Sequence, residues 1–211
     1  MGTRDRILKE ALRLFSKKGF DAVSVRAIAK AVGIKESSLY NHFSGKEAIF
    51  ASILDEYNFR GEAFFSGMNL TGEDRAFSAD EKTVNMYRNM PTEQFIQIAN
   101  SIFDFYFTDE TSVQMRRMLT MEQYRNSVLA QMYRQISFDA SLEYQSKLFE
   151  AMMDAGCFIR TDPYILALEF FAPIFLIFYK FDNDQASLAE ARELFSKHIA
   201  HFCRMYAGTG K

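Results

Sequence analysis

Two glycines, Gly19 and Gly33, cut the start of the chain into pieces with few ways to fold. Before Gly19, the residues Ile7, Leu8, Ala11, Leu12, Leu14 and Phe15 recur at three-to-four spacing, which predicts a helix over 3–18. Lys17 and Lys18 suit the negative end of its dipole, and Gly19 supplies a left-handed stop. Ser24 is placed to cap a short second helix, "VRAIAKAV", with Val25, Ile28, Ala29 and Val32 facing inward until Gly33 breaks it. A third helix is expected over Ser37 to Phe43. A fourth starts near Lys46 and carries Ile49, Phe50, Ile53, Leu54 and Tyr57 on one side. Two short helices across a tight glycine turn make a helix-turn-helix unit. Neither is long enough to stand alone, so both must pack on the helices either side.

The charge is divided in the same place. The net charge is −2, but residues 1–50 carry ten Lys/Arg against five Asp/Glu, a net of +5. Residues 51–211 carry fifteen against twenty-two, a net of −7. A basic head on an acidic body points to a polyanion partner for the head alone.

From about Arg60 to Met90 the pattern weakens, with Gly61, Gly67, Asn69 and Gly72 suggesting the end of helix four and then a loop or short irregular helix. Strong helical periods follow from Pro91 to Phe107, from Asp109 to about Tyr124, and in one long stretch from Ser127 to Ala155 closed by Gly156. A further helix starts at the cap Asp162 with Pro163 in its first turn, and Pro173 inside it removes the bond to the Glu169 carbonyl. A last helix spans about Gln185 to Tyr206. No alternating strand pattern appears, so the expected fold is all-α. Its apolar run Phe170 to Tyr179 is far short of the roughly 20 residues that cross a bilayer, and reads as a buried helix. The charged N-terminus lacks the apolar stretch of a signal peptide. The two cysteines, Cys157 and Cys203, fit a reducing compartment, and the expected location is cytoplasmic, without membrane.

The stretch "SSLYNHFSGKE" holds one of only three His in the chain. At about 100° per residue, Leu39 and Phe43 point inward, and Ser37, Ser38, Tyr40, Asn41 and His42 point outward. A catalytic site needs a base set onto a nucleophile and a third group behind it, and no acid or second His is placed locally to orient His42. Short hydroxyls, an amide and flat rings, flanked by Lys35 and Lys46 with Arg26 and Lys30 on helix two, suit phosphate oxygens and base edges instead.

The segment "LFSKKGFDAVSVRAIAKAVGIKESSLYNHFSGKEAIF", Leu14 to Phe50, resembles the N-terminal domain of TetR-family transcriptional regulators. The shared run is Leu-Phe, Gly-Phe, a capped helix with Ile-Ala, Gly-Ile, Leu-Tyr-x-His-Phe and Lys-Glu. The resemblance implies a three-helix DNA-binding domain over 1–46, joined to a larger helical ligand-binding and dimerisation domain over 47–211. It makes Ser37 to Phe43 the recognition helix. Tyr40, His42, Lys46 and Ser24 would touch phosphates, and Arg26, Lys35, Ser37, Ser38 and Asn41 would touch bases or phosphates. Glu36 and Ser37 depart from the family's commoner small residue or Gly, and Glu36 brings negative charge towards DNA.

The body is rich in soft and aromatic volume, with 22 Phe and 11 Met but no Trp. Ile98, Ile102, Phe103, Tyr106, Met118, Met121, Tyr133, Ser137, Phe170, Phe171 and Phe175 read individually as core. Together they suit a cavity that adapts to an apolar or aromatic molecule, where the family holds its inducer. The resemblance further implies a homodimer built from the last two helices, with Pro173, Ile177, Phe195, His198, Ile199 and Phe202 at its interface. Such a dimer would bind a near-palindromic double-stranded operator. His198 and His201 have half-site spacing for a metal, but His198 lies beside the apolar stripe, and no cofactor or metal is expected. "GTGK" at Gly208 to Lys211 has no strand or helix around it and reads as a frayed tail. The chain therefore reads as a ligand-responsive DNA-binding regulator, most simply a repressor, and not an enzyme. A helical carrier for lipids or aromatics is the rival reading.

Overall fold

A computed structural model describes residues 2–68, 78–182 and 185–208, and every named element but two single-turn ones is an α-helix. The helices are α1 (Thr3–Lys18), α2 (Val25–Val32), α3 (Glu36–Tyr40), α4 (Lys46–Gly67), α5 (Glu81–Asn89), α6 (Thr92–Phe107), α7 (Glu110–Glu122), α8 (Ser127–Arg134), α9 (Ala140–Asp154), α10 (Pro163–Phe181) and α11 (Leu188–Tyr206). A π-helical turn, Gln135–Asp139, joins α8 to α9, and a 3₁₀ turn, Gln185–Ser187, leads into α11. Several starts are chemically marked. Ser24, Asp80, Asp109 and Asp162 each accept a backbone N–H from the first turn of α2, α5, α7 and α10.

The chain packs as two compact units, Met1–Phe64 with Asp109–Arg134, and Phe65–Thr108 with Gln135–Lys211. This differs from a boundary at residue 46. Helix α7, with Met115, Met118 and Leu119 buried, packs on α1, and the stretch 109–134 groups with the head. In the second unit, Phe103, Phe107, Ile174, Ile177, Phe195 and Ile199 form one core cluster. Leu148, Phe149, Met152, Met153, Leu166 and Phe202 form another.

Helix α4 ends at Gly67, inside the weak region, the short helix α5 follows, and the stretch 69–77 lies outside the described residues. Three expectations change. The long helix from Ser127 is interrupted by the π turn. Helix α10 is not buried throughout. Its 19 residues make it the helix among those described that is long and apolar enough to cross a membrane, yet 28% of that stretch is buried. The heptad-like spacing of Leu168, Ala172, Leu176 and Tyr179 leaves an apolar stripe facing outward. Finally, Gly208 is not frayed: its N–H donates to the Cys157 carbonyl at 2.8 Å, beside a bridge between Phe158 and Ala207. The remainder of "GTGK" lies outside the described residues.

Candidate nucleic-acid interface

The segment 36–43 owes its outward polar face to two anchors. Leu39 is fully buried and Phe43 is 5% exposed, and the Phe43 and His42 amides both donate to the Leu39 carbonyl. Helix α3 is one turn and a half, shorter than the expected 37–43, because after Tyr40 the chain tightens into a turn at Asn41 and His42. That turn still holds Asn41 and His42 exposed beside Ser37 and Tyr40, the last with half its surface in solvent (51%). Ser38 is half-buried. Lys35, Arg26 and Lys30 are exposed around the same face. Ser24 Oγ accepts the Ala27 amide at 3.2 Å, so its capping role is seen directly. Glu36 is exposed in the first turn of α3, where the positive helix end favours it.

Lys46, for which a phosphate contact is implied, also makes contacts inside the head. Its Nζ donates to the Phe20 carbonyl at 2.9 Å and lies 4.3 Å from the Phe20 ring centroid. It fastens the start of α4 to the corner after α1. Arg6 does the same at the other end, donating to the Val32 carbonyl at the close of α2, and Arg4 lies over the Phe43 ring at 5.2 Å. Lys46, Arg6 and Arg4 therefore brace the head. Residues outside the motif brace it too. Glu122 on α7 is completely buried and accepts the Phe20 amide at 2.9 Å. A lone acid at a helix end reads as a solvated group, so no sequence signal marked it.

The expected ligand residues fall in both units. Met118, Met121 and Tyr133 lie in the first, where Met118 and Tyr133 are buried in its core. In the second unit, Phe103 stacks on Phe107 at 4.1 Å and is fully buried, and Phe170 packs among Phe149, Phe171 and Phe202. Ile98, Ile102, Ser137, Tyr106, Phe171 and Phe175 are half-buried. Tyr106 and Phe175 belong to a continuous run of half-buried rings. It passes from Phe65 through Phe105 and Tyr106 to Phe178, then Phe175 and Phe138, with neighbouring centroids 4.6–6.1 Å apart.

The residues expected at the dimer interface also change places. Ile177, Phe195, Ile199 and Phe202 are each at most 4% exposed within the protomer. Phe202 packs on Phe170, three residues before Pro173, and Pro173 itself is half-buried. The apolar period they mark is the inward one. His198 Nε2 lies 2.8 Å from the Phe170 carbonyl, in the turn that Pro173 weakens. Burial lowers its pKa below the usual imidazole value, the Phe170 bond opposes this, and nearby His201 reinforces it. Among the described residues no three His, Cys, Asp or Glu are grouped as for a metal, and Glu193 pairs with Lys197 at 2.6 Å.

Residues 7–53 match the family model described as "Bacterial regulatory proteins, tetR family". The negative regulator of the Staphylococcus aureus icaADBC biofilm operon, IcaR, is 28% identical over 149 residues, covering 60% of this chain and 78% of IcaR. Among solved structures, a regulator of this family from Mesorhizobium loti superposes with a TM-score of 0.65 at 19% identity, over 97% of this chain and 96% of its own. SmeT, the repressor of the Stenotrophomonas maltophilia multidrug efflux pump SmeDEF, superposes in its triclosan complex with a TM-score of 0.66 at 18% identity, over 100% and 94%. The matched head, the regulator relatives and the shared all-helical fold support a TetR-family transcriptional regulator.

Proposed function

We propose that this regulator is a repressor that leaves its operator when an apolar, ring-bearing molecule binds the second unit. The observation that carries this is the run of half-buried rings from Phe65 to Phe138. A finished core would bury such rings fully. Half-buried rings in series offer faces and edges to a flat guest. The relatives point the same way: IcaR is a negative regulator, and SmeT is a repressor seen with triclosan.

The dimer forms through the outward stripes of the last two helices. On α10 these are Ile165, Leu168, Leu176 and Tyr179, all 38% exposed or more, and on α11 Leu194 and Met205. Exposed apolar side chains in register along two adjacent helices are rare on a monomer. Pairing them presents two recognition segments about 34–36 Å apart, matching half-sites one DNA turn from each other. Effector binding shifts the regulator to a conformer with another spacing, a coupling that needs only about 1–3 kcal/mol.

Duplexes enriched from random DNA by the purified protein test this. Binding should fall steeply with salt and be released by triclosan or another apolar aromatic. Tyr40→Ala should weaken every duplex about tenfold, and Asn41→Ala should change which sequences are enriched. Full-strength binding by both variants would sink the recognition assignment. Aromatic binding without duplex binding at any salt would favour a carrier.

A further inference from the structure

Glu122 closes α7 with a carboxylate that is 0% exposed, and neither DNA contact nor effector binding uses it. Its Oε1 accepts the Phe20 amide across 102 positions of sequence, while Oε2 is buried with no hydrogen-bond partner among the described residues. Burying a carboxylate for one bond is a cost that an apolar side chain of similar size would avoid. What it gains is control of a corner. The Phe20 carbonyl is held by Lys46, and the Phe20 ring packs between Phe15 and Phe50 at 5.1 and 5.4 Å. Both polar groups of this peptide unit's residue are thus held by side chains, one from α7 and one from α4.

The position of the corner decides the position of the head's working face. Phe20 follows α1, its carbonyl accepts the Val23 amide, and Ser24 then caps α2, on which α3 packs. Gly19 completes the arrangement. Its φ is +85°, and a Cβ there would lie 2.5 Å from Glu122 Oε1. The carboxylate occupies the space that a side chain at residue 19 would fill, so the glycine serves the approach of Glu122 as well as the turn.

The structure assigns Glu122 as a positioning residue for DNA binding: by accepting the Phe20 amide, it sets where the α1–α2 corner, and the recognition segment beyond it, sits on α7. This rests on the head binding DNA, which the wild-type protein's own capture of duplex tests separately.

The test compares the full chain with Glu122→Gln, Glu122→Ala, Gly19→Ala and the Gly19→Ala/Glu122→Ala double variant. The probe is a fluorescein-labelled duplex enriched by the wild-type protein from random DNA, titrated well below each variant's melting midpoint. Glutamine keeps an acceptor for Phe20 and should stay within about threefold of wild type, whereas alanine should weaken binding at least about tenfold. The Phe20 amide should exchange with solvent faster in Glu122→Ala but not in Glu122→Gln. Gly19→Ala should also weaken binding, and by less once Glu122 is already alanine, because only the left-handed strain is left. Wild-type affinity in Glu122→Ala, or additive losses in the double variant, would overturn the assignment. If Glu122→Ala does not fold, Gly19→Ala decides alone: weakened binding by a fully folded protein supports the assignment, and unchanged binding overturns it.

Discussion

The head and the aromatic unit are both helical, but different forces specify them. In residues 1–50, each turn is marked by a residue with a definite physical role: Gly19 and Gly33 with positive φ, Ser24 as cap, Leu39 and Phe43 as anchors. Few alternatives exist for any of them. In the second unit, cohesion comes from ring upon ring: Phe103 on Phe107, Phe149 on Phe202, Phe138 on Phe175. Rings can exchange partners with small cost, so this unit specifies volume more than detail. A recognition surface must be rigid to read bases, while a site for a variable apolar guest gains from adaptable walls.

The largest effect should come from the rigid side. Leu39→Ala opens a cavity under a helix of five residues that cannot refill it. A loss of about 2–5 kcal/mol is expected, read from denaturant unfolding followed at the head, together with loss of duplex binding. If the head unfolds no earlier than in wild type, its anchors are as replaceable as the body's rings and the contrast fails.

Leu176→Glu probes the seam between the two behaviours. Leu176 is 67% exposed, so a charge there should leave protomer stability nearly unchanged. It should separate the dimer, seen by sedimentation, and weaken operator binding at least about tenfold because half-sites then bind singly. A dimer undisturbed by this charge would move the interface off the α10 stripe.

Phe175→Leu should cost less than about 1.5 kcal/mol, since the neighbouring rings of Phe138 and Phe178 can close in. Duplex affinity should hold, but the aromatic concentration needed for release should change. A large stability loss with unchanged release would make the ring run ordinary core.

How much of this could be read from the sequence follows the same division. Helix starts were legible because Ser24, Asp109 and Asp162 act on amides two or three residues away. Leu39 and Phe43 were legible because period alone puts them inside. Glu122, Arg6 and Lys46 were not, since their backbone partners lie 102, 26 and 26 residues away and a charged side chain gives no sign of such a partner. On α10 and α11 the period showed two faces but could not say which turned inward. Ile177, Phe195, Ile199 and Phe202 carry the bulkier set and went to the protomer's core, leaving Leu168, Leu176 and Leu194 outside.

The smallest effect should come from His198, where the aromatic unit uses a side chain on a distant backbone carbonyl as the head does. Its ring nitrogen meets the Phe170 carbonyl, and burial, helped by the nearby His201, holds its pKa below the ordinary imidazole value of 6.5. A depressed folded pKa means that the folded form prefers the neutral ring. Its stabilising contribution is therefore present above the unfolded value and is lost as pH falls through the lower folded one. Between pH 7.5 and 5, the wild-type melting midpoint should fall slightly further than that of His198→Gln, which can still donate to Phe170 but does not titrate. Equal falls in the two proteins would show that the α10–α11 contact does not depend on this ring's charge. Packing alone would then hold the aromatic unit, and its contrast with the polar-pinned head would sharpen.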